Sequence, residues 1–150
     1  MRELVRKTAA QTLTQSELID LAGQYAQKLI PGDVVYLLGD LGAGKTTFVR
    51  GVLQALGIKT LIKSPTYTLI ESYLINNNYY HHLDLYRLGD PSEFEDLGVL
   101  DPQLNLNQRP VLFIEWPECG EGFVPPASYI LEFSHHDSDP ELRGFREVNS

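Results

Sequence analysis

The chain has 150 residues, 43% of them apolar and 10% aromatic, enough to build one packed domain of the usual ~100–150 residues and too much for a disordered one. A net charge of -8 argues against a protein that grips a nucleic-acid backbone by itself, because that takes a basic stripe. The single cysteine, Cys119, can form no internal disulfide, which fits a reducing compartment. Met1–Lys7 is followed by no long apolar core, and no stretch approaches the ~18 apolar residues of a membrane span. A cytoplasmic protein without a membrane segment is therefore expected, with residues 1–150 forming a single domain.

In chain order, Ser16 to Leu29 predicts a first helix, with Leu18, Leu21, Ala22, Tyr25 and Leu29 at helical spacing behind Ser16 as cap and Pro31-Gly32 ending it. Val34–Leu38 is a short β-rich apolar run of the kind a buried parallel strand needs. A glycine-rich segment follows it directly, and a second helix is expected from Lys45 to Leu56, stopped by Gly57. Thr66 to Ile75 and Tyr79 to Leu85 are β-rich and flank Asn76-Asn77-Asn78, which predicts a hairpin and so some antiparallel pairing. Asp90-Pro91-Ser92-Glu93 reads as the capped start of a short helix that Gly98 ends. Val111–Ile114 is a second buried strand running into Glu115, and Ser128 to Phe133 and Gly144 to Val148 read as two closing strands. The sum is an α/β domain of P-loop NTPase-like, three-layer form, with a mixed, mainly parallel sheet plus antiparallel strands.

The chemistry is concentrated in Gly39-Asp40-Leu41-Gly42-Ala43-Gly44-Lys45-Thr46, a G-x-x-x-x-G-K-[ST] segment placed between a predicted strand and a predicted helix. Glycines let the backbone curl so that several N–H groups point inward, and the following helix presents its positive end to phosphates. Lys45 then reaches the outer phosphates and the Thr46 hydroxyl ligates Mg²⁺. Such a loop needs a second carboxylate at the end of a neighbouring strand. Glu115 fills that place, since four apolar residues deliver it to a strand end.

Other polar residues are less decided by their pattern. Asp84 lies in His81-His82-Leu83-Asp84-Leu85-Tyr86-Arg87, where an acid amid apolar residues must be solvated, paired with a group such as Arg87, or held near a metal. Structural pairing and function both remain open for it. Ser64-Pro65-Thr66 reads equally as a switch-like loop near the γ-phosphate or as a simple turn. His81-His82 and His135-His136 are adjacent pairs whose side chains point to opposite faces of a strand, so neither pair is assigned a metal. Cys119 has no activating partner in the sequence and reads as an ordinary thiol. No Asn-Lys-x-Asp segment reads guanine, and Asp20-Leu21-Ala22-Gly23 precedes the loop on a helix, so ATP is expected by elimination.

Four blocks together resemble the TsaE (YjeE) family: Gly39–Thr47, Lys63-Ser64-Pro65-Thr66-Tyr67-Thr68-Leu69, His82-Leu83-Asp84-Leu85-Tyr86-Arg87-Leu88 and Ile114-Glu115-Trp116-Pro117-Glu118. The first block is generic to P-loop proteins, whereas the other three in this order are close to diagnostic. The resemblance implies a weak ATPase acting with TsaB and TsaD partners in making threonylcarbamoyladenosine beside the anticodon of tRNAs that read codons beginning with A. TsaD would perform the transfer, the ATP-driven step would drive or reset the complex, and tRNA would be met only indirectly through it.

Carried over by motif, Gly39, Asp40, Leu41, Gly42, Ala43, Gly44, Lys45, Thr46 and Thr47 would form the nucleotide loop. Thr46 and Glu115 would hold Mg²⁺, with Glu115 and Lys45 at the chemistry. Asp84 would stand near the γ-phosphate and the partner-facing surface, Thr66 in the switch-like loop, and Trp116 beside the nucleotide. Thr14, Gln15 and Ser16 fall where the family contacts base or sugar, and their match here is loose. The acidic charge fits a subunit that docks on a protein complex rather than on tRNA. Two other functions use the same loop: a small-molecule kinase, for which Arg87, Arg109, Arg143 and Arg146 form no clustered lid segment, and a nucleotide-gated binding module whose hydrolysis is incidental.

Overall fold

Val34–Leu38 and Val111–Glu115 have side chains covered on both faces of the sheet, which suits parallel strands between two layers. In the computed structural model, which describes residues 10–60 and 62–148, these strands pair side by side and in parallel at the centre of a sheet. The elements in chain order are β1 (Gln11–Thr14), α1 (Gln15–Lys28), β2 (Val34–Leu38), α2 (Lys45–Ala55), β3 (Ile70–Ile75), β4 (Asn78–Asp84), β5 (Val111–Glu115), β6 (Tyr129–His135) and β7 (Leu142–Val148). The seven strands run in the order β1-β7-β6-β2-β5-β4-β3. The pairings β6–β2, β2–β5 and β5–β4 are parallel, while β1–β7, β7–β6 and β4–β3 are antiparallel. The sheet is thus mixed, with parallel pairing at its centre and antiparallel pairing on both flanks. The reading of Met1–Lys7 lies outside the described residues.

Alternation along the central strands divides the core into two layers. Val35, Leu37, Val111, Phe113 and Leu131 face α1 and α2, where Phe48, Val49, Val52 and Leu53 meet Leu18, Ala22 and Tyr25. Val34, Leu83, Leu112 and Ile114 face the other way, onto Leu85, Phe94 and Val99. Phe94 belongs to a 3₁₀ helix at Pro91–Leu97 that opens with the predicted Asp90/Glu93 capping box and closes at Gly98. The two α-helices touch closely at Gly51, where a Cβ would come within 2.8 Å of the Ala22 Cβ.

The cap of α1 differs from expectation. Thr14, not Ser16, caps the helix, because Glu17 then occupies the third helical position: Glu17 N–H donates to Thr14 Oγ1 at 3.1 Å and Thr14 N–H to Glu17 Oε1 at 2.9 Å. The hairpin forms as expected, with Ile75 paired to Asn78 and Asn76 and Asn77 at φ 51° and 66°. Its first strand starts later than expected, at Ile70. Residues 65–68 instead form a turn in which Leu69 N–H donates to the Pro65 carbonyl at 2.9 Å. β1 went unanticipated; it adds an antiparallel edge to β7 and runs directly into α1. Among the described residues, no helix is long and apolar enough to cross a membrane.

Candidate functional site

The loop between β2 and α2 owes its path to its glycines. Gly39 sits at φ 139° against β6, where a Cβ would run into the Phe133 carbonyl, so no side chain fits there. A turn follows, closed by Ala43 N–H donating to the Asp40 carbonyl at 3.1 Å. Gly44, at φ 114°, then caps α2 and offers no side chain to the helix start. The amides of that first turn therefore point, unclaimed by a capping side chain, at whatever anion enters.

They face a cavity of about 540 Å³. Leu41, Gly42, Gly44, Lys45, Thr46 and Thr47 form its floor, and Ser64, Thr66 and Glu115 line it from the sheet side. Thr14, Gln15 and Ser16 join it at the start of α1, opposite Pro140, Glu141 and Arg143. The β1–β7 ladder brings those two segments together, since Leu13 pairs with Arg143 and Thr14 with Leu142. His135, near the end of β6, steadies the loop by hydrogen bonding from Nε2 to the Leu41 carbonyl at 3.0 Å.

Among the described residues the buried polar or charged side chains are Lys45, His82, Asp84 and Glu115, and all four belong to one neighbourhood. Register explains it. In the β4–β5 ladder Asp84 pairs with Glu115 and His82 with Phe113, so His82, Asp84 and Glu115 project from the same face at the strand ends. Lys45 Nζ reaches this group from α2, 3.5 Å from Glu115 Oε1, and donates to the Gly39 carbonyl at 2.5 Å. The other Glu115 oxygen, Oε2, lies 2.6 Å from His82 Nε2.

The two carboxylates titrate in opposite directions. Burial pushes Glu115 up, but the His82 hydrogen bond and the Lys45 ammonium outweigh it and hold the group below the usual carboxylate range. Asp84 is raised, chiefly by burial and further by the charge of Glu115, although it accepts a hydrogen bond from Tyr86 N–H at 3.1 Å. Two acids pushed apart by their surroundings can take different roles.

Several expected site residues stand elsewhere. Trp116 is on the far side of Lys45, whose Nζ lies 4.9 Å from its ring centroid; with Gly39, Asp40 and Glu118 it lines a separate hollow of about 120 Å³. It takes φ 57° as the chain turns off β5, and its ring packs on Tyr86 at 4.9 Å. Ala43 is buried beneath the loop. Asp84 stands beside Glu115 on the adjacent strand and is not part of the cavity wall. Arg87 does not pair with Asp84; its guanidinium lies over the Tyr67 ring, 4.6 Å from the centroid.

Sequence reasoning missed two contributors, Arg143 and His82. For His82 the signal was present, because alternation along β4 puts it on the face of Asp84.

A glycine loop joining a parallel strand to a helix, beside a carboxylate at the end of the adjacent strand, defines a P-loop NTPase-like fold. The crystal structure of Bacillus subtilis YdiB is similar, with a TM-score of 0.69 and 25% identity, covering 97% of this chain and 89% of that one. The family model described as threonylcarbamoyl adenosine biosynthesis protein TsaE matches residues 12–144, and the chain belongs to this family. A relative from Haemophilus influenzae, the tRNA threonylcarbamoyladenosine biosynthesis protein TsaE, is 43% identical over 116 residues, 77% of this chain and 72% of the relative. The proteins of that name from Rickettsia conorii and Rickettsia typhi are 41% and 34% identical over 130 and 137 residues. Those matches take in 86% and 91% of this chain and 72% and 92% of the relatives.

Proposed function

We propose that this chain is the accessory ATPase of a complex that makes threonylcarbamoyladenosine in tRNA. On this reading it binds Mg-ATP in the cavity and hydrolyses it slowly to drive or reset a TsaB–TsaD-type transferase. Family membership supports the pathway. The observation that carries the ATPase reading is the buried Lys45–Glu115 pair under an anion-ready helix start.

The α2 amides and Lys45 would cradle the β- and γ-phosphates, with Gln15, Ser16 and Arg143 bordering the nucleoside end. Thr66, across the cavity, would sense the γ-phosphate. A hydroxyl on Thr46 and an ionised carboxylate on Glu115, both on the cavity wall, suit a hard cation that keeps several waters. Mg²⁺ would supply charge neutralisation between the outer phosphates. Glu115, which lines the cavity, would orient the attacking water or hold a metal-bound one. Asp84, with its raised affinity for a proton, would act beside Glu115.

A kinase reading gains nothing from the arginines that follow α2. Arg87 lies on Tyr67, Arg146 pairs with Glu132, Arg109 borders a hollow beside Val34 and Val99, and only Arg143 among the four lines this cavity. ATP hydrolysis, measured on the protein alone and with its TsaB–TsaD partners, tests the proposal. Wild-type turnover stimulated by the partners and lost in Glu115→Ala is the expected result. An unstimulated protein, or an unaffected variant, would return the kinase and nucleotide-gated binding readings to first place.

A further inference from the structure

His82 is fully buried, with 0% exposure, in a place where an apolar side chain would serve packing as well. Its Nδ1 has no hydrogen-bond partner among the described residues, so the imidazole sits there with half of its polarity unmet. What it does make is a single short contact, Nε2 to Glu115 Oε2 at 2.6 Å. An ionised carboxylate only accepts, so the proton of that bond is on Nε2 and the uncharged ring would leave Nδ1 bare.

The two oxygens of Glu115 are held by different elements. Oε1 is 3.5 Å from Lys45 Nζ, on the P-loop helix, and Oε2 is on His82, in the neighbouring strand. Lys45 is also the group that phosphates would attract, so its hold on Glu115 would weaken when a nucleotide arrives. The bond to His82 would then be the remaining anchor. Buried on a central ladder beside Phe113, His82 cannot follow the nucleotide.

We infer that His82 is a positioning residue for ATP hydrolysis: its Nε2–H fixes Oε2 of Glu115 and so aims Oε1 into the phosphate cavity. This rests on the ATPase reading above, in which Glu115 orients water or metal. Groups behind a ligating or catalytic side chain commonly govern its aim in this way. The inference gives His82 no contact with nucleotide and no proton to transfer.

The two amide variants separate this role from simple packing. Gln places its NH₂ near the position of Nε2, whereas Asn reaches only to that of Nδ1. The test compares His82→Leu, His82→Gln, His82→Asn, Glu115→Gln and the His82→Leu/Glu115→Gln double variant. It reads kcat and KM for ATP, the Kd of a fluorescent ATP analogue with Mg²⁺ and with EDTA, and the melting temperature. In His82→Leu and His82→Asn, kcat is expected to fall on the order of tenfold or more, with KM and Kd changed far less. His82→Gln recovers most of that loss, and the double variant is no slower than Glu115→Gln.

Wild-type kcat in folded His82→Leu would overturn the inference, as would equal activity of the Gln and Asn variants or an additive loss in the double variant. If His82→Leu does not fold, the Gln–Asn pair decides. Full hydrolysis by Glu115→Gln would instead overturn the underlying reading of Glu115, which keeps the two failures distinguishable.

Discussion

Beneath α1 and α2, the central strands present Val35, Leu37, Phe113 and Leu131 to Phe48, Val49 and Val52, and the layer closes with aromatic rings packed edge to face. A few ångströms along the same face, β4 and β5 end in His82, Asp84 and Glu115, drawn together with Lys45. The first region gains stability by removing apolar surface from water. The second removes charges from water, at a cost that only mutual pairing offsets. One sheet supports both because β2 is apolar throughout and β5 is apolar up to its last residue, Glu115, so the polar groups gather where β4 and β5 end. The lesson is that the apolar layer holds the frame rigid enough for a buried ionic cluster to keep one arrangement.

The largest effect should come from breaking the apolar side. Phe48 has its ring 5.4 Å from Tyr25 and 5.6 Å from Phe133 between centroids. Phe48→Ala is expected to cost about 3–5 kcal/mol in urea unfolding. A loss below ~1 kcal/mol would mean that this layer does not carry the fold.

On the polar side, Lys45→Ala should weaken the binding of an ATP analogue by about 1.5–3 kcal/mol, the worth of charge-assisted hydrogen bonds, while the protein stays folded. Calorimetric titration measures it, and unaltered affinity would remove Lys45 from the phosphate site.

The smallest effects sharpen the contrast within the cluster, because Asp84 and Glu115 should respond to acid with opposite signs. Asp84 is raised, so its charge penalises the fold at neutral pH. Asp84→Asn should raise the melting temperature by a few degrees there, and the gain should vanish as pH falls through the raised value to ~3.9. Glu115 is lowered, so its charge contributes stability that is present above ~4.3 and lost as pH falls through its folded value. Glu115→Gln should accordingly be less stable at neutral pH and indistinguishable from wild type in strong acid. Melting curves across pH that moved in parallel for the two variants would contradict this arrangement.

Where structure follows from local pattern, the sequence is readable. The strand–glycine loop–helix unit, the run from Val111 into Glu115, the Asn76-Asn77 hairpin and the Asp90–Glu93 box are all set by residues within a few positions of one another. β1 is not legible in the sequence because Gln11-Thr12-Leu13-Thr14 is only four residues long and has one apolar side chain; it is a strand by virtue of β7 alongside it. The cap lies at Thr14, two residues before the expected Ser16, because strand and helix abut with no loop between them. His82 was correctly separated from His81 by alternation, yet its partner could be found only from the β4–β5 register. Trp116 followed Glu115 in sequence but departs from its neighbour through a left-handed backbone turn, which no propensity announces.

That register also governs when the site can exist. His82 and Glu115 are separated by 33 residues, and β2, from which the glycine loop springs, is paired on both sides with strands from the far end of the chain. Hairpin β3–β4 closes over a two-residue turn and can form early, whereas the parallel ladders must wait for long loops to close. In a refolding chain, local structure should therefore return first and nucleotide affinity last, measurable as a lag of ATP-analogue fluorescence behind circular dichroism. On the proposed reading the site would then report on its own completion, since it would take a nucleotide only once segments far apart in the chain had met.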